Sequence, residues 1–169
     1  MRDPGQGGHP RWFISRSSEL NREQPHPMSA RSKARKRALD VLYEADVRSI
    51  DPLEVLNQVT ARRASDEGVT PHEYTVDLVQ GVAAHRERID DILHSHSQGW
   101  VISRMPAVDR NVLRLATYEL LWGRQTPDAV VIDQAVELSK ELSTEDSPGF
   151  VNGVLARLVH ERPTMELAD

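Results

Sequence analysis

From Arg31 almost to the C-terminus, apolar residues recur at intervals of three and four, the period of a helix with one buried stripe. Ala34, Ala38, Val41, Leu42 and Ala45 mark a first helix over residues 31–49. Asp51-Pro52-Leu53-Glu54 is a helix start, with a capping acid, proline at the first helical position and an acid two residues further on. A second helix follows to about Arg63. Thr70-Pro71-His72-Glu73 repeats that start, and Tyr74, Leu78, Val79 and Val82 carry the next stripe. Gly81 and the polar run Ala84 to Arg86 predict a break before Ile89, Ile92 and Leu93 resume it, and Gln98-Gly99-Trp100 closes the element. Pro106 opens the most apolar helix, with Val108, Val112, Leu115, Ala116, Glu119 and Leu120 in period. Thr126-Pro127-Asp128 and Asp146-Ser147-Pro148 open the last two. Val130-Val131-Ile132 is the one β-branched run, and a lone strand has nothing to pair with. Six or seven helices joined by short connections predict an all-α bundle over residues 28–162, followed by a short C-terminal tail, 163–169.

Residues 1–27 break this pattern. They are rich in Gly, Pro, His and Arg, and their one apolar cluster, Trp12-Phe13-Ile14, is too short for a core, so the segment is expected to be disordered. Two origins stand open: an upstream extension ahead of a natural start at Met28, or a genuine tail.

Charge then changes the picture. Arg31, Lys33, Arg35, Lys36 and Arg37 put five positive charges into seven residues. The whole chain carries -5, and residues 1–27 contribute +1, so residues 38–169 carry -11. A basic block on an acidic body marks a site for a polyanion, foremost nucleic acid, or else a solvated helix face. Cations at a helix N-terminus oppose the macrodipole, so stability does not account for them, whereas an anion placed there gains from dipole and side chains together. Sequence-selective RNA recognition also needs an aromatic platform. Phe150, beside Asp146, Ser147 and Asn152 at the start of the last helix, is the candidate, with core packing as its other role. Asp109 and Arg110 read from the pattern alone as an exposed first turn.

Catalytic and metal signatures are lacking in the sequence. His94 and His96 are two apart and point to different faces of a helix, and Asp90-Asp91 diverge likewise. No Gly-rich phosphate loop, HExxH or GxSxG pattern occurs, and there is no cysteine. No enzyme, cofactor or metal is expected. With no long apolar run and no apolar stretch after the N-terminal arginines, a cytoplasmic location is the expectation.

Four separated stretches resemble the NusB family, the bacterial transcription antitermination factors. They are residues 35–43 (RKRALDVLY), 108–120 (VDRNVLRLATYEL), 131–140 (VIDQAVELSK) and 150–155 (FVNGVL), in family order and spacing. The chain departs from the pattern where Asp133-Gln134-Ala135 stands for the usual Asn-Glu-Ala. The resemblance implies two small helical bundles packed across each other and a non-enzymatic role. It implies binding of single-stranded boxA RNA in nascent ribosomal-RNA transcripts, jointly with the ribosomal small-subunit protein that acts as NusE. It further implies assembly with NusA and NusG on RNA polymerase. By the same resemblance, Arg31, Lys33 and Arg35 form the RNA surface. Lys36 is a local addition within the block that Arg37 completes, and Asp146 and Phe150 lie close by. Tyr43 matches a family tyrosine that is either core or RNA-facing. Asp109, Arg110 and Glu119 fall where the partner protein is expected.

Three rivals are weaker. A NusB-like domain occurs fused to ribosomal-RNA cytosine methyltransferases, which use catalytic cysteines that this sequence lacks. A helix-turn-helix DNA reader needs a polar recognition helix, and the later helices here are largely acidic. A pure interaction scaffold that never touches RNA would be favoured if neutralising Arg31, Lys33 and Arg35 left RNA binding unaffected. A homodimer stays open.

Overall fold

The computed structural model describes residues 29–165 and Leu167, so the expectations for residues 1–27 and for a start at Met28 lie outside the described residues. Six α-helices run in order: α1 Ala30–Arg48, α2 Pro52–Glu67, α3 Glu73–His96, α4 Ala107–Tyr118, α5 Asp128–Leu142 and α6 Ser147–Glu161. Short 3-10 turns at Ile102–Arg104 and Arg162–Thr164 and a π-helical turn at Glu119–Gly123 complete the set, and the described residues contain no strand. Helices α1, α2 and α3 pack on one another, as do α4, α5 and α6, and α4 lies against both α1 and α3. The all-α, two-bundle architecture expected from the sequence is therefore observed.

Local chemistry explains the boundaries. Ser29 caps α1, its hydroxyl accepting from the Ser32 amide at 3.1 Å, and Asp51 caps α2 through Leu53 N at 2.8 Å. The third start moves two residues downstream of Thr70: His72 is the cap, with Nδ1 accepting from Tyr74 N at 3.1 Å. The break expected near Gly81 is absent, and α3 is one helix of 24 residues. Gly81 serves packing instead. A Cβ there would stand 2.0 Å from Tyr118 Cζ, so the missing side chain is what lets the α4 tyrosine lie against α3.

Helix α4 is the centre of the molecule, with every residue from Asn111 to Thr117 buried. Its Leu113 and Leu115 join Leu39 and Leu42 of α1, Leu78 and Leu93 of α3, and Leu155 and Leu158 of α6 in one continuous core. Each such leucine contributes about 1.5–3 kcal/mol on burial. Arg114 is buried with them and is neutralised by Asp90 (Nε–Oδ1 2.8 Å) and Asp46 (3.3 Å). Met165 and Leu167 pack back on the core, so part of the segment expected as a tail is docked.

Candidate nucleic-acid interface

The basic block divides according to helix geometry. Arg31, Lys33 and Arg37 are exposed on α1. The Arg31 guanidinium lies 4.9 Å from the Tyr74 ring centroid, a cation–π contact that steadies the side chain while leaving it in solvent. Lys36 is half-buried, with Nζ 2.5 Å from Glu141 of α5. Arg35 points the other way and is 3% exposed. Its Nε donates to both Glu119 oxygens at 3.0 Å, and its Nη2 lies 2.9 Å from Glu119 Oε1. The same Nη2 reaches Tyr74 Oη at 3.4 Å and Thr126 Oγ1 at 3.3 Å, and the Tyr74 hydroxyl also donates to Glu119. Burial by itself would lower the Arg35 pKa, but the hydrogen bond and charge of Glu119 outweigh it and leave the guanidinium above its ordinary value. Burial and the bond to Glu119 likewise hold the Tyr74 phenol above its ordinary value.

The structure therefore removes Arg35 from the exposed cations of the block. Arg35, Ala38, Leu39 and Leu42 share the buried stripe of α1 at i, i+3, i+4 and i+7, which is why the guanidinium turns inward. Glu119, expected at a partner surface, is 4% exposed as its counter-ion. Asp109, also 4% exposed, accepts from Ser147 Oγ through Oδ2 at 2.8 Å and so ties the start of α4 to the start of α6. Arg110 is half-buried, its Nε donating to Asp46 Oδ2 at 2.7 Å and its Nη1 to the Ile102 and Met105 carbonyls, both at 3.2 Å. The first turn expected to be exposed at Asp109-Arg110 is thus a joint of buried Asp109 and half-buried Arg110, and both side chains, like that of Glu119, make contacts within the chain.

The joint also fixes Asp46. Burial pushes its carboxyl up, but hydrogen bonds from Arg110 and Asn111 and the charges of Arg114 and Arg110 more than offset this. The group sits below its ordinary value.

The remaining candidates are accessible. Tyr43 is 41% exposed on α1, which decides its position in favour of solvent. Asp146 is exposed at the N-cap of α6, and its side chain makes no capping bond. Phe150 is half-buried, resting on the core beside Trp100, ring centroids 5.4 Å apart. Two contacts connect these positions to the basic helix. Ser32 Oγ donates to Gln134 Oε1 at 2.6 Å and Lys36 reaches Glu141, so two side-chain contacts bridge α1 to α5, which leads through the 143–146 connection to the start of α6. Gln134, at the position that departs from the family pattern, is part of this seam. Trp100, which only ends an element in the sequence pattern, is the most exposed aromatic among the described residues, at 54%.

The described residues contain no group of three or more metal-binding side chains. None of their helices is long and apolar enough to cross a membrane.

A family model described as the NusB family matches residues 32–160. The transcription antitermination protein NusB of Acidothermus cellulolyticus is 57% identical over 138 residues, covering 82% of this chain and 92% of its own length. That of Saccharopolyspora erythraea is 58% identical over 132 residues, covering 78% and 87%. The chain belongs to the NusB family. Solved NusB structures carry the same fold. T. maritima NusB is 32% identical with a TM-score of 0.69 over 79% of this chain and 92% of its own. A chain from the crystal structure of antitermination factors NusB and NusE in complex with dsRNA gives 32% and 0.67, covering 77% and 96%. The four NusB-like stretches fall on α1, α4 with the π-helical turn, α5 and α6, the elements that build the seam from Arg31 to Phe150.

Proposed function

We propose that this chain is a transcription antitermination factor. It binds boxA single-stranded RNA of nascent ribosomal-RNA transcripts together with a ribosomal small-subunit protein acting as NusE. In that assembly, with NusA and NusG, it promotes processive elongation by RNA polymerase. The observation that carries the reading is the three exposed cations Arg31, Lys33 and Arg37 in the first two turns of one helix of an otherwise acidic member of the NusB family. Such cations contact phosphates and set orientation, and the aromatic and polar groups at the α6 entry supply base recognition. The solved NusB–NusE complex with dsRNA supports both partner classes. The -11 carried by residues 38–169 suits a basic ribosomal protein and would speed its approach.

The direct test is transcription in vitro past a terminator, on templates with boxA and with boxA scrambled, in the presence of the ribosomal partner. Read-through should rise only with boxA and fall when Arg31, Lys33 and Arg37 are replaced together by Ala. Read-through indifferent to boxA and to those replacements would overturn the reading.

A further inference from the structure

A groove lies between the end of α3 and the outer face of α6. It encloses about 350 Å³ and is lined by Trp100, Phe150, Gln98, Arg157 and the open backbone of α6 at Gly149 and Gly153. That size is within the range of small-ligand sites. Trp100 forms one wall, and its placement is built. Its backbone is pinned to the buried Ser97, with Ser97 Oγ donating to Trp100 O at 2.9 Å and Trp100 N to Ser97 O at 3.2 Å. Gln98 (φ 44°) and Gly99 (φ 84°) take left-handed conformations to make that tight turn. The result is a large ring held out of the core, its centroid 5.4 Å from that of the Phe150 ring at a 49° tilt. A Cβ at Gly149 or Gly153 would meet nothing within 4 Å, so the packing of this chain does not call for glycine at either position. The groove begins at Phe150, one turn into α6 from Asp146, where the seam from the basic helix ends.

We infer that this groove is a nucleobase site, in which an unpaired base of the bound RNA strand stacks on the exposed face of Trp100 next to Phe150. The inference rests on the RNA-binding reading above. An aromatic face accepts any base, while the Gln98 amide and the Arg157 guanidinium on the same walls offer donors and an acceptor to a base edge. Arg157 is oriented by Glu161, to which its Nε donates at 2.9 Å. The strand would run from phosphate contacts on α1, past the 143–146 connection, to Phe150 and then Trp100.

The test uses the full chain and a fluorescein-labelled single-stranded leader RNA containing boxA, with abasic nucleotides placed one position at a time. Trp100→Ala should weaken binding at least about fivefold while leaving the salt dependence unchanged, because a stacked base is lost and no phosphate contact is. Trp100→Phe should keep most of the affinity. One abasic position should weaken the wild type and have no further effect on Trp100→Ala, the non-additivity that identifies a direct pair. Gly153→Leu gives a second route, filling the groove where the fold has room, and should reproduce the loss with the melting temperature retained. Wild-type affinity in both Trp100→Ala and Gly153→Leu, with Arg31→Ala still impaired, would overturn this site alone. Variants that lose the ribosomal partner but keep the RNA would assign the groove to a protein and overturn it too. A wild type that fails to bind the RNA would overturn it together with the proposed function.

Discussion

Replacing Arg35 by Ala separates two roles that adjacent charges on α1 play. The guanidinium is 3% exposed and Glu119 is 4% exposed, with three N–O contacts of 3.0 Å or less between them. Removing Arg35 leaves a buried carboxylate that keeps the hydrogen bond from the Tyr74 hydroxyl. Breaking one half of a buried ion pair costs about 3–5 kcal/mol. For a domain of this size that corresponds to a fall in melting temperature of about 6–20 °C. Arg31→Ala, one turn away, is an exposed change and should stay within about 0.5 kcal/mol. Exchanging both partners for apolar residues, Arg35→Met with Glu119→Leu, should recover most of the loss, because the desolvation of two charges is avoided. The shortfall is the Tyr74 hydroxyl's bond, about 1 kcal/mol. Urea and thermal unfolding followed by circular dichroism measure this, alongside RNA affinity at a temperature where each variant is folded. Arg35→Ala should bind RNA within twofold of wild type, and Arg31→Ala should not. A stable Arg35→Ala protein with an RNA defect as large as that of Arg31→Ala would refute the assignment of Arg35 to the interior.

Two further outcomes follow from the packing. Gly81→Ala puts a Cβ 2.0 Å from Tyr118 Cζ and should destabilise by about 1–3 kcal/mol. Adding Tyr118→Ala should make the Gly81 change nearly neutral, and additive losses in the double variant would show that the ring is not what the glycine accommodates. Asp46 has a carboxyl pKa below its ordinary 3.8, so its contribution is complete above that value and is lost as pH falls through the depressed one. Asp46→Asn should cost about 1–3 kcal/mol at neutral pH and flatten acid unfolding, and an unchanged acid limb would count against the Asp46–Arg110 joint.

The sequence carried the helices well because their stripes are long and their starts chemically distinct. Asp51-Pro52 and Asp146-Ser147-Pro148 place α2 and α6 to the residue. Gly81 misled because glycine spacing alone cannot distinguish a break from a close approach, and the ring it admits comes from a residue 37 positions later. The site was half legible. Charge density marks α1 as the candidate binding helix, but it does not separate Arg35, which falls on the same stripe as Ala38, Leu39 and Leu42, from its neighbours. Applying the period to the arginines as well as to the apolar residues would have found it. Glu119 and Asp109 were beyond reach, because their partners Arg35 and Ser147 come from other helices. Trp100 was also beyond reach, since only the turn at Ser97 shows that its ring is held outward.

The measurement that bears most directly on the RNA-binding claim is a titration of boxA single-stranded RNA across a range of salt, with and without the ribosomal partner, against a scrambled RNA of equal length. All five charges of the block, Arg31 to Arg37, would set a slope near -3.5 in log affinity against log salt. With Arg35 buried and Lys36 held by Glu141, three exposed cations set roughly -2 for the chain alone. The expected result is that shallow slope, selectivity for boxA over the scrambled strand, and tighter binding when the partner is added. Equal affinity for both strands, indifferent to the partner, would contradict the claim and leave α1 a general polyanion surface.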